Sequence, residues 1–191
     1  MLTPALGRFW RKKMNMIDTA KYGTFEEFKS VYNKKELNSH DSYGYTCLHN
    51  AIGGHNWNTV NFLLDEGIDV NLKDKKGSTA LLYMVDHMEF NYEEGVKVIK
   101  RLLDMGADVN EPDKNGGTPL IKATAKTAQK EGFERWKLFL QYNPDIYKEN
   151  KGGRSCYSMA KEYCNPNTYN SPELWNYLVE NGFVKGEESE R

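Results

Sequence analysis

The chain contains few cysteines and prolines and has no long apolar segments. Of its 191 residues, three are Cys and six are Pro. The cysteines, Cys47, Cys156 and Cys164, are odd in number and form no CxxC pair. They therefore argue against a disulfide scaffold and favour a reducing compartment, the cytoplasm. No apolar run approaches the roughly 20 residues that a membrane-spanning helix needs.

The chain also has no excess of charge of one sign. Lys and Arg total 26, Asp and Glu total 27, and the formal net charge is −1. A nucleic-acid-binding domain is normally basic, so we expect no nucleic-acid partner. Hydrophobic residues make up 39% of the chain, a modest share that suits a fold whose repeats each bury only a thin slab.

The first 16 residues form a basic leader in which charged and aromatic residues are mixed: Arg8, Phe9, Trp10, Arg11, Lys12 and Lys13. A signal peptide has its charges before a longer apolar stretch, so this order argues against one. Two alternatives stay open. The first is a flexible leader, or residues upstream of a true start at Met14 or Met16, and the second is a short amphipathic helix that binds a surface. Residues 185–191 are expected to be a polar tail.

Two sequence patterns recur in phase along the chain. The first begins with a glycine, followed two residues later by Thr or Ser and then by a mainly apolar stretch, at 44–51, 77–84, 116–123 and 153–160. An acid or amide stands three residues before each glycine, at Asp41, Asp74, Asp113 and Asn150. The second pattern, Leu-Leu-x-x-Gly-x-Asp-Val-Asn, begins at Leu63 and Leu102 and degenerates at Phe139 and Leu178.

These patterns resemble the ankyrin-repeat family, whose signature T-P-L-H-x-A recurs about every 33 residues. Only Thr118-Pro119 keeps the Thr-Pro pair, only His49 keeps the His, and the later units are longer. The resemblance covers residues 17–184. It implies an all-α solenoid of about five helix-turn-helix units with short hairpin tips. The expected units span 17–41, 42–74, 75–113, 114–150 and 151–184.

Apolar triplets support this register independently of the resemblance. Apolar residues at i, i+3 and i+4 lie on one face of a helix and mark its buried side. Such a triplet stands in the second helix of each unit: Phe28, Val31 and Tyr32; Val60, Leu63 and Leu64; Ile99, Leu102 and Leu103; Trp136, Phe139 and Leu140; Trp175, Leu178 and Val179.

The residues at the helix ends predict where each helix begins and stops. Glycine leaves a helix easily with positive φ, so Gly67, Gly106 and Gly182 are expected to end second helices, with Asn143 in the same role. A hydroxyl can cap the exposed N–H groups of a first helix, a role expected of Thr46, Thr79, Thr118 and Ser155. The extra residues of units three to five, at about 86–95, 125–132 and 163–171, are expected to lengthen the helices or their turns. In unit three their aromatic residues either pack inward or belong to a binding face.

The sequence contains no arrangement typical of catalysis or of a metal site. Cys47 and His49 are two residues apart, but both lie at positions of the repeat signature, where the resemblance implies that His bonds to the backbone. No HExxH motif, GxSxG motif or P-loop is present. We therefore predict no enzymatic activity, no cofactor, no metal and no small-molecule substrate.

The resemblance instead implies a protein-binding surface on the hairpin tips and on the exposed side of the first helices. At the tips the candidate contact residues are Tyr43, Tyr45, Lys75, Lys76, Ser78, Lys114, Asn115, Lys151 and Arg154. On the first helices they are Asp86, His87, Lys126 and Tyr163. The tyrosines are expected to be the main anchors, because Tyr gives a large contact area at low entropy cost.

Three functions of different class remain open at this stage. The first is an inhibitor or immunity protein that occludes a cognate toxin or enzyme, one-to-one. The second is an adaptor or host-directed effector that links two proteins, and the third is an enzyme within an ankyrin-like frame. Few residues lie outside the repeats, which favours the inhibitor over the adaptor. Resemblance to small stand-alone bacterial ankyrin proteins points the same way.

Overall fold

The computed structural model describes residues 14–87, 92–126, 130–163 and 172–184. Most of the expected leader, the tail at 185–191 and Cys164 lie outside these ranges. Within them the chain forms α-helices and short turns, with no β-strand beyond one isolated bridge between Lys73 and Thr79. No helix in these ranges is both long and apolar enough to cross a membrane.

The described ranges contain ten α-helices, which follow one another in pairs. They are α1 (Met16–Tyr22), α2 (Phe25–Val31), α3 (Cys47–Gly53), α4 (Trp57–Asp65), α5 (Ala80–His87), α6 (Tyr92–Asp104), α7 (Pro119–Thr124), α8 (Lys130–Leu140), α9 (Cys156–Tyr163) and α10 (Glu173–Glu180). One turn of 3₁₀ helix, Lys34–Glu36, follows α2. The all-α repeat fold predicted from the sequence is confirmed.

The helices belong to two compact units, one ending at Asp108 and the other beginning at Val109. In the first unit, α1, α3 and α5 pack side by side as a row of first helices, and α2, α4 and α6 form a parallel row of second helices. In the second unit, α7 packs on α8 and on α9, and α9 packs on α10. Each unit is therefore a stack of helix pairs.

Hydroxyl side chains cap the first helices, as predicted. In each case the hydroxyl oxygen accepts a hydrogen bond from the backbone N–H three residues later, which would otherwise lack a partner in the helix. The four bonds join Thr46 to His49 (3.4 Å), Thr79 to Leu82 (3.3 Å), Thr118 to Ile121 (3.3 Å) and Ser155 to Ser158 (3.1 Å).

The residues that follow the second helices have positive φ, as predicted. The angles are 78° at Gly67, 86° at Gly106, 71° at Gly182 and 52° at Asn143. This is the left-handed region, where a residue other than Gly, Asn or Asp is strained. All four residues therefore end a helix, and Gly67, Gly106 and Asn143 also turn the chain toward the tip that comes next in the sequence or toward the start of the next repeat.

The apolar triplets of the second helices form the core, with exceptions in the first and last pairs. Every triplet member of α4, α6 and α8 is buried. In α2, Phe28 is fully buried but Val31 is 38% exposed, so the expectation for Val31 was wrong. The reason is that α2 ends at Val31, and Tyr32 leaves the helix in an extended conformation. The Tyr32 ring instead packs edge-on against Phe62, at 4.9 Å between centroids. In α10, Val179 is half-buried.

An asparagine at the end of each of three repeats binds the following repeat. The Oδ1 atom of Asn38 accepts from the N–H of Asp69 (3.0 Å), and that of Asn71 accepts from the N–H of Asp108 (3.0 Å). In the second unit, Asn110 accepts from Asp145 in the same way (2.7 Å). Because each bond joins equivalent positions, these side chains hold neighbouring repeats in register.

Part of the extra sequence lengthens second helices. The second helix α4 has 9 residues, whereas α6 has 13 and α8 has 11. Residues 88–91, 127–129 and 164–171 lie outside the described ranges, as do the side chains of His87 and Tyr92. The two readings of the aromatic residues in unit three therefore stay open.

Candidate protein-binding surface

Each hairpin tip is built around one Asp or Asn side chain. In the first tip, Asp41 Oδ1 accepts hydrogen bonds from the N–H groups of Tyr43 (2.8 Å) and Tyr45 (2.9 Å). The Asp41 N–H in turn donates to the carbonyl oxygen of Tyr45 (2.9 Å). Asp74, Asp113 and Asn150 repeat this arrangement in the other three tips. The acid or amide that precedes each glycine in the sequence therefore organises the tip from within.

Adjacent tips within a unit are joined through the backbone. The N–H of Lys75 donates to the carbonyl oxygen of Tyr43 (3.1 Å), and the N–H of Lys151 donates to that of Asn115 (2.9 Å). Gly44 has φ of 82°, and a Cβ there would lie 2.7 Å from the nitrogen of Lys75. Both its conformation and the close approach of the next tip therefore require glycine at this position.

The first unit carries a cluster of aromatic side chains at its tips. The side chain of Tyr43 is 69% exposed, and its ring lies 6.4 Å from that of Tyr45. The Tyr45 ring is also 5.5 Å from Tyr83 of α5 and 5.8 Å from His49. We call Tyr43, Tyr45 and Tyr83 the tyrosine cluster. It joins two predicted contact residues, Tyr43 and Tyr45, to Tyr83 of the neighbouring repeat, which the sequence analysis did not include.

Sequence reasoning did not identify Tyr83, nor Tyr22, which is 64% exposed at the end of α1. Burial raises the pKa of Tyr83 above its usual value, and Tyr45, Asp74 and Tyr22 add to the rise. Tyr22 thus lies within electrostatic reach of the cluster. Tyr83 is the fifth residue of the motif that begins at Thr79, the position that the T-P-L-H-x-A signature leaves free. A tyrosine at this variable position is the sequence signal that could have identified Tyr83.

His49 connects the start of its own helix to the tip of the next repeat. It is 1% exposed, its Nδ1 lies 2.9 Å from Thr46 Oγ1, and its Nε2 lies 3.1 Å from the carbonyl oxygen of Ser78. The expected bond from His49 to the backbone is therefore confirmed. Both ring nitrogens are engaged, so neither is open to a metal ion. In the part of the chain that the structure describes, no group of three His, Cys, Asp or Glu could hold one.

Ser78, one of the predicted contact residues, is buried in the fold. It is 6% exposed. Its N–H donates to Asp74 Oδ1 (2.8 Å), and its carbonyl oxygen accepts from His49. Because the N–H and the carbonyl oxygen of Ser78 both form hydrogen bonds within the fold, we leave Ser78 out of the proposed surface.

The other predicted contact residues differ in how freely they face solvent. Lys75, Lys76, Lys114, Asn115 and Lys151 are exposed at the tips. Arg154 is exposed but forms an ion pair with Glu162 (2.8 Å). Asp86, Lys126 and Tyr163 are half-buried, and the side chain of His87 lies outside the described residues.

The two cysteines that the structure describes are buried free thiols. Burial raises the pKa of Cys47 to about 12 and that of Cys156 to about 11. A thiol reacts as a nucleophile only when it is ionised and accessible. Neither thiol meets these conditions, so both belong to the core.

Comparison with known families supports the repeat assignment. Two family models, both described as ankyrin repeats (many copies), match residues 32–83 and residues 87–131. The matched segments contain the tips at Gly44, Gly77 and Gly116 and the capping residues that follow them. No curated protein matches the sequence significantly.

Proposed function

Because this chain belongs to the ankyrin-repeat family, which is generally a non-catalytic protein-interaction fold, we propose that it uses its tips to bind and inhibit one protein. The proposed partner is a toxin or enzyme that the chain occludes one-to-one, in the manner of an immunity protein. We place this role in the cytoplasm, where buried free thiols such as Cys47 and Cys156 persist.

The exposed ring of Tyr43 on a pre-formed tip carries this proposal. Asp41 already holds the backbone of the tip through two hydrogen bonds, so a partner need not order the tip on binding. Binding energy is lost whenever a loop must be fixed, and a rigid aromatic side chain avoids most of that loss. Tyrosine is also among the residues that dominate protein interfaces.

The individual lengths of the repeats favour one particular partner. The second helix has 9 residues in α4 but 13 in α6, so neighbouring repeats present surfaces of different shape. A surface of this kind suits a single complementary protein better than many related peptides. We expect the complex to bury roughly 1,600 Å² in total and to cover the active cleft of the partner.

The division into two compact units favours an adaptor as the alternative. Each unit has its own pair of tips, at Gly44 and Gly77 before Asp108 and at Gly116 and Gly153 after Val109. Two units with separate tips can bind two different proteins. An adaptor of this kind would leave the activity of each bound partner intact.

Co-expression of the chain with its partner tests the proposal. The partner is first captured from an extract of the native cell, or taken as the product of the neighbouring gene. We expect the wild-type chain to abolish its activity or toxicity at a one-to-one ratio. A partner that is harmless alone, or that stays fully active beside the chain, contradicts inhibition. Retained activity together with a second bound protein would establish the adaptor.

Substitutions locate the inhibitory surface. We expect Tyr43→Ala to weaken inhibition at least about tenfold, because interface anchors contribute about 2 kcal/mol or more. Tyr147→Ala is the matched control, since Tyr147 is 50% exposed but lies outside the tips. Melting temperatures of both variants must stay near that of the wild type, so that a loss of inhibition reports on binding rather than on folding.

A further inference from the structure

Lysines on the second helices are neutralised by neighbours on the same helix. On α6, Lys97 pairs with Glu94 (2.7 Å) and Lys100 pairs with Asp104 (2.8 Å). On α8, Lys137 pairs with Glu134 (2.7 Å). These pairs lie at spacings of three or four residues, where side chains on a helix meet. The second helices therefore offer a partner little free positive charge at these positions.

Several lysines at the tips have no such neighbours. Among the lysines whose side chains the structure describes, five have an ammonium group without an ion pair, hydrogen bond or ring contact: Lys35, Lys75, Lys76, Lys114 and Lys151. Four of these five stand at tips, and Lys75, Lys114 and Lys151 each directly follow the Asp or Asn that organises the tip. Free positive charge is thus concentrated at the tips.

The carboxylates of Asp74 and Asp113 do not cancel this charge. Asp74 is 7% exposed, and its Oδ1 atom accepts from the N–H groups of Lys76 and Ser78 (both 2.8 Å). In the second unit, Asp113 pairs with Lys122 (2.9 Å) instead of with Lys114. The acids of these two tips are therefore occupied within the fold, while the ammonium groups of the adjacent lysines face solvent.

We propose that the tips recognise an acidic surface of a partner protein, with Asp and Glu side chains that pair with the free lysines. This inference rests on the proposed protein-binding function and adds the chemistry of the partner. Complementary charge speeds encounter and selects between partners more than it adds affinity. The exposed ring of Tyr43 belongs to the tip beside Lys75, because the carbonyl oxygen of Tyr43 accepts a hydrogen bond from the backbone N–H of Lys75. An acidic patch on the partner would therefore lie beside an apolar contact.

A protein carboxylate surface fits these lysines better than a nucleic acid does. A nucleic-acid backbone places a charge every few ångströms and calls for a continuous basic stripe. Here the lysines come one or two per tip, and the whole chain has a net charge of −1. Separate carboxylates on a folded partner match this discontinuous pattern.

Titration of the full chain with poly-L-glutamate, followed by ¹H–¹⁵N NMR, tests the proposal. We expect saturable shifts of the amide signals at the tips, and loss of these shifts in about 1 M NaCl, where the Debye length is about 3 Å. The double substitution Lys75→Glu/Lys76→Glu is expected to lower the affinity of the first unit's tips about tenfold. Lys35→Glu changes an equally free lysine away from the tips, and this control is expected to leave the affinity unchanged.

Three outcomes would overturn the proposal: no saturable shift, equal loss of affinity in Lys35→Glu, or tighter binding of a DNA duplex at the same tips. Failure of the proposed function is distinguishable. If a captured protein binds through Tyr43 but ignores Lys75→Glu/Lys76→Glu and salt, only the acidic partner is wrong. If poly-L-glutamate binds at the tips but no protein is inhibited, only the inhibitor function is wrong.

Discussion

The Nε2 atom of His49 lies 3.1 Å from the carbonyl oxygen of Ser78, so a side chain of one repeat holds the tip of the next. On the other side of the ring, Nδ1 lies 3.4 Å from the backbone nitrogen of Thr46. A backbone N–H can only donate, so Nδ1 accepts this hydrogen bond. Nε2 therefore carries the ring proton and donates a hydrogen bond to the carbonyl oxygen of Ser78. The contacts therefore select one neutral tautomer of His49.

This arrangement predicts that the protein loses stability in mild acid. Burial lowers the pKa of His49, an effect that the bond to Ser78 only partly offsets. Below about pH 6.5, the ordinary histidine pKa, the unfolded chain takes up a proton that the folded chain refuses. The free energy of unfolding should then fall as the pH falls, by up to about 1.4 kcal/mol per pH unit, until the folded His49 is also protonated.

Urea denaturation at about pH 7 and about pH 5.5 measures this slope. The control is His49→Gln, which removes the titrating group from the same buried position. We expect this variant to be less stable than the wild type at pH 7 but to lose less stability between the two pH values. An identical slope in both proteins would assign the acid sensitivity to other groups.

Replacement of Gly106 tests the left-handed turn after α6. Its φ is 86°, and no atom lies within 4 Å of the place where a Cβ would stand. The cost of a larger residue there is therefore conformational, with no steric clash. We expect Gly106→Val to lower the free energy of unfolding by about 1 kcal/mol or more, because a β-branched residue resists positive φ.

Gly106→Asn is the matched variant for this position. Asn143 occupies the equivalent position after α8 with φ of 52°, and Asn tolerates this region better than other residues do. Thermal or urea denaturation should therefore rank the wild type first, then Gly106→Asn, then Gly106→Val. Equal stability of the Asn and Val variants would show that the turn does not require positive φ in solution.

A buried hydrogen bond joins the helices α7 and α8. The indole nitrogen of Trp136 donates to Thr124 Oγ1 (3.0 Å), and Thr124 in turn donates to the carbonyl oxygen of Leu120 (2.7 Å). Trp136 and Thr124 are both fully buried. Thr124→Val keeps the shape but removes the buried hydroxyl to which the indole N–H donates, so we expect a loss of about 1–3 kcal/mol in the free energy of unfolding.

Thr59→Val provides the control for this change. Thr59 is also buried, and in the part of the chain that the structure describes its Oγ1 atom has no hydrogen-bond partner. Removing an unpaired buried hydroxyl should leave stability unchanged or raise it. Urea denaturation of both variants compares one substitution in two surroundings. Similar losses at both positions would mean that the Trp136 bond contributes little.

Much of the fold follows from short-range rules that sequence alone can apply. Capping by Thr46 needs only a hydroxyl before a helix, and the turn at Gly106 needs only a residue that accepts positive φ. The burial of α4 and α6 follows from the spacing of their apolar residues. Val31 was mispredicted because the spacing rule does not tell where a helix ends.

The candidate surface was predicted less completely, because it depends on contacts between repeats. The sequence shows Tyr43 and Tyr45 at a tip, but only the packing of α3 and α5 brings Tyr83 against Tyr45. Ser78 is a polar tip residue by pattern, and its burial follows from bonds to Asp74 and His49. Pairing of charges along a helix can be anticipated from spacing, whereas the free ammonium groups at the tips become apparent only once every partner is known.

We expect the partner to bind the tips and not the second-helix side. Tyr43 and Lys76 are exposed at the tips, whereas Lys97 and Lys100 lie on the second helix α6 and are held in ion pairs. We expect Tyr43→Ala to weaken binding of the captured partner at least about tenfold and Lys76→Glu to weaken it about threefold to tenfold. Lys97→Ala and Lys100→Ala should leave it unchanged.

The Tyr45 ring contacts His49 and Tyr83, so Tyr45→Ala should lower the melting temperature as well as the affinity. This substitution is therefore less informative about the binding face. Affinities and melting temperatures should therefore be measured on the same preparations. If the substitutions on α6, or Lys137→Ala on α8, weaken binding while Tyr43→Ala and Lys76→Glu do not, the partner binds the second-helix side. A tip-centred interface would then be wrong, since the exposed tyrosine and the free lysine would contribute nothing to the complex.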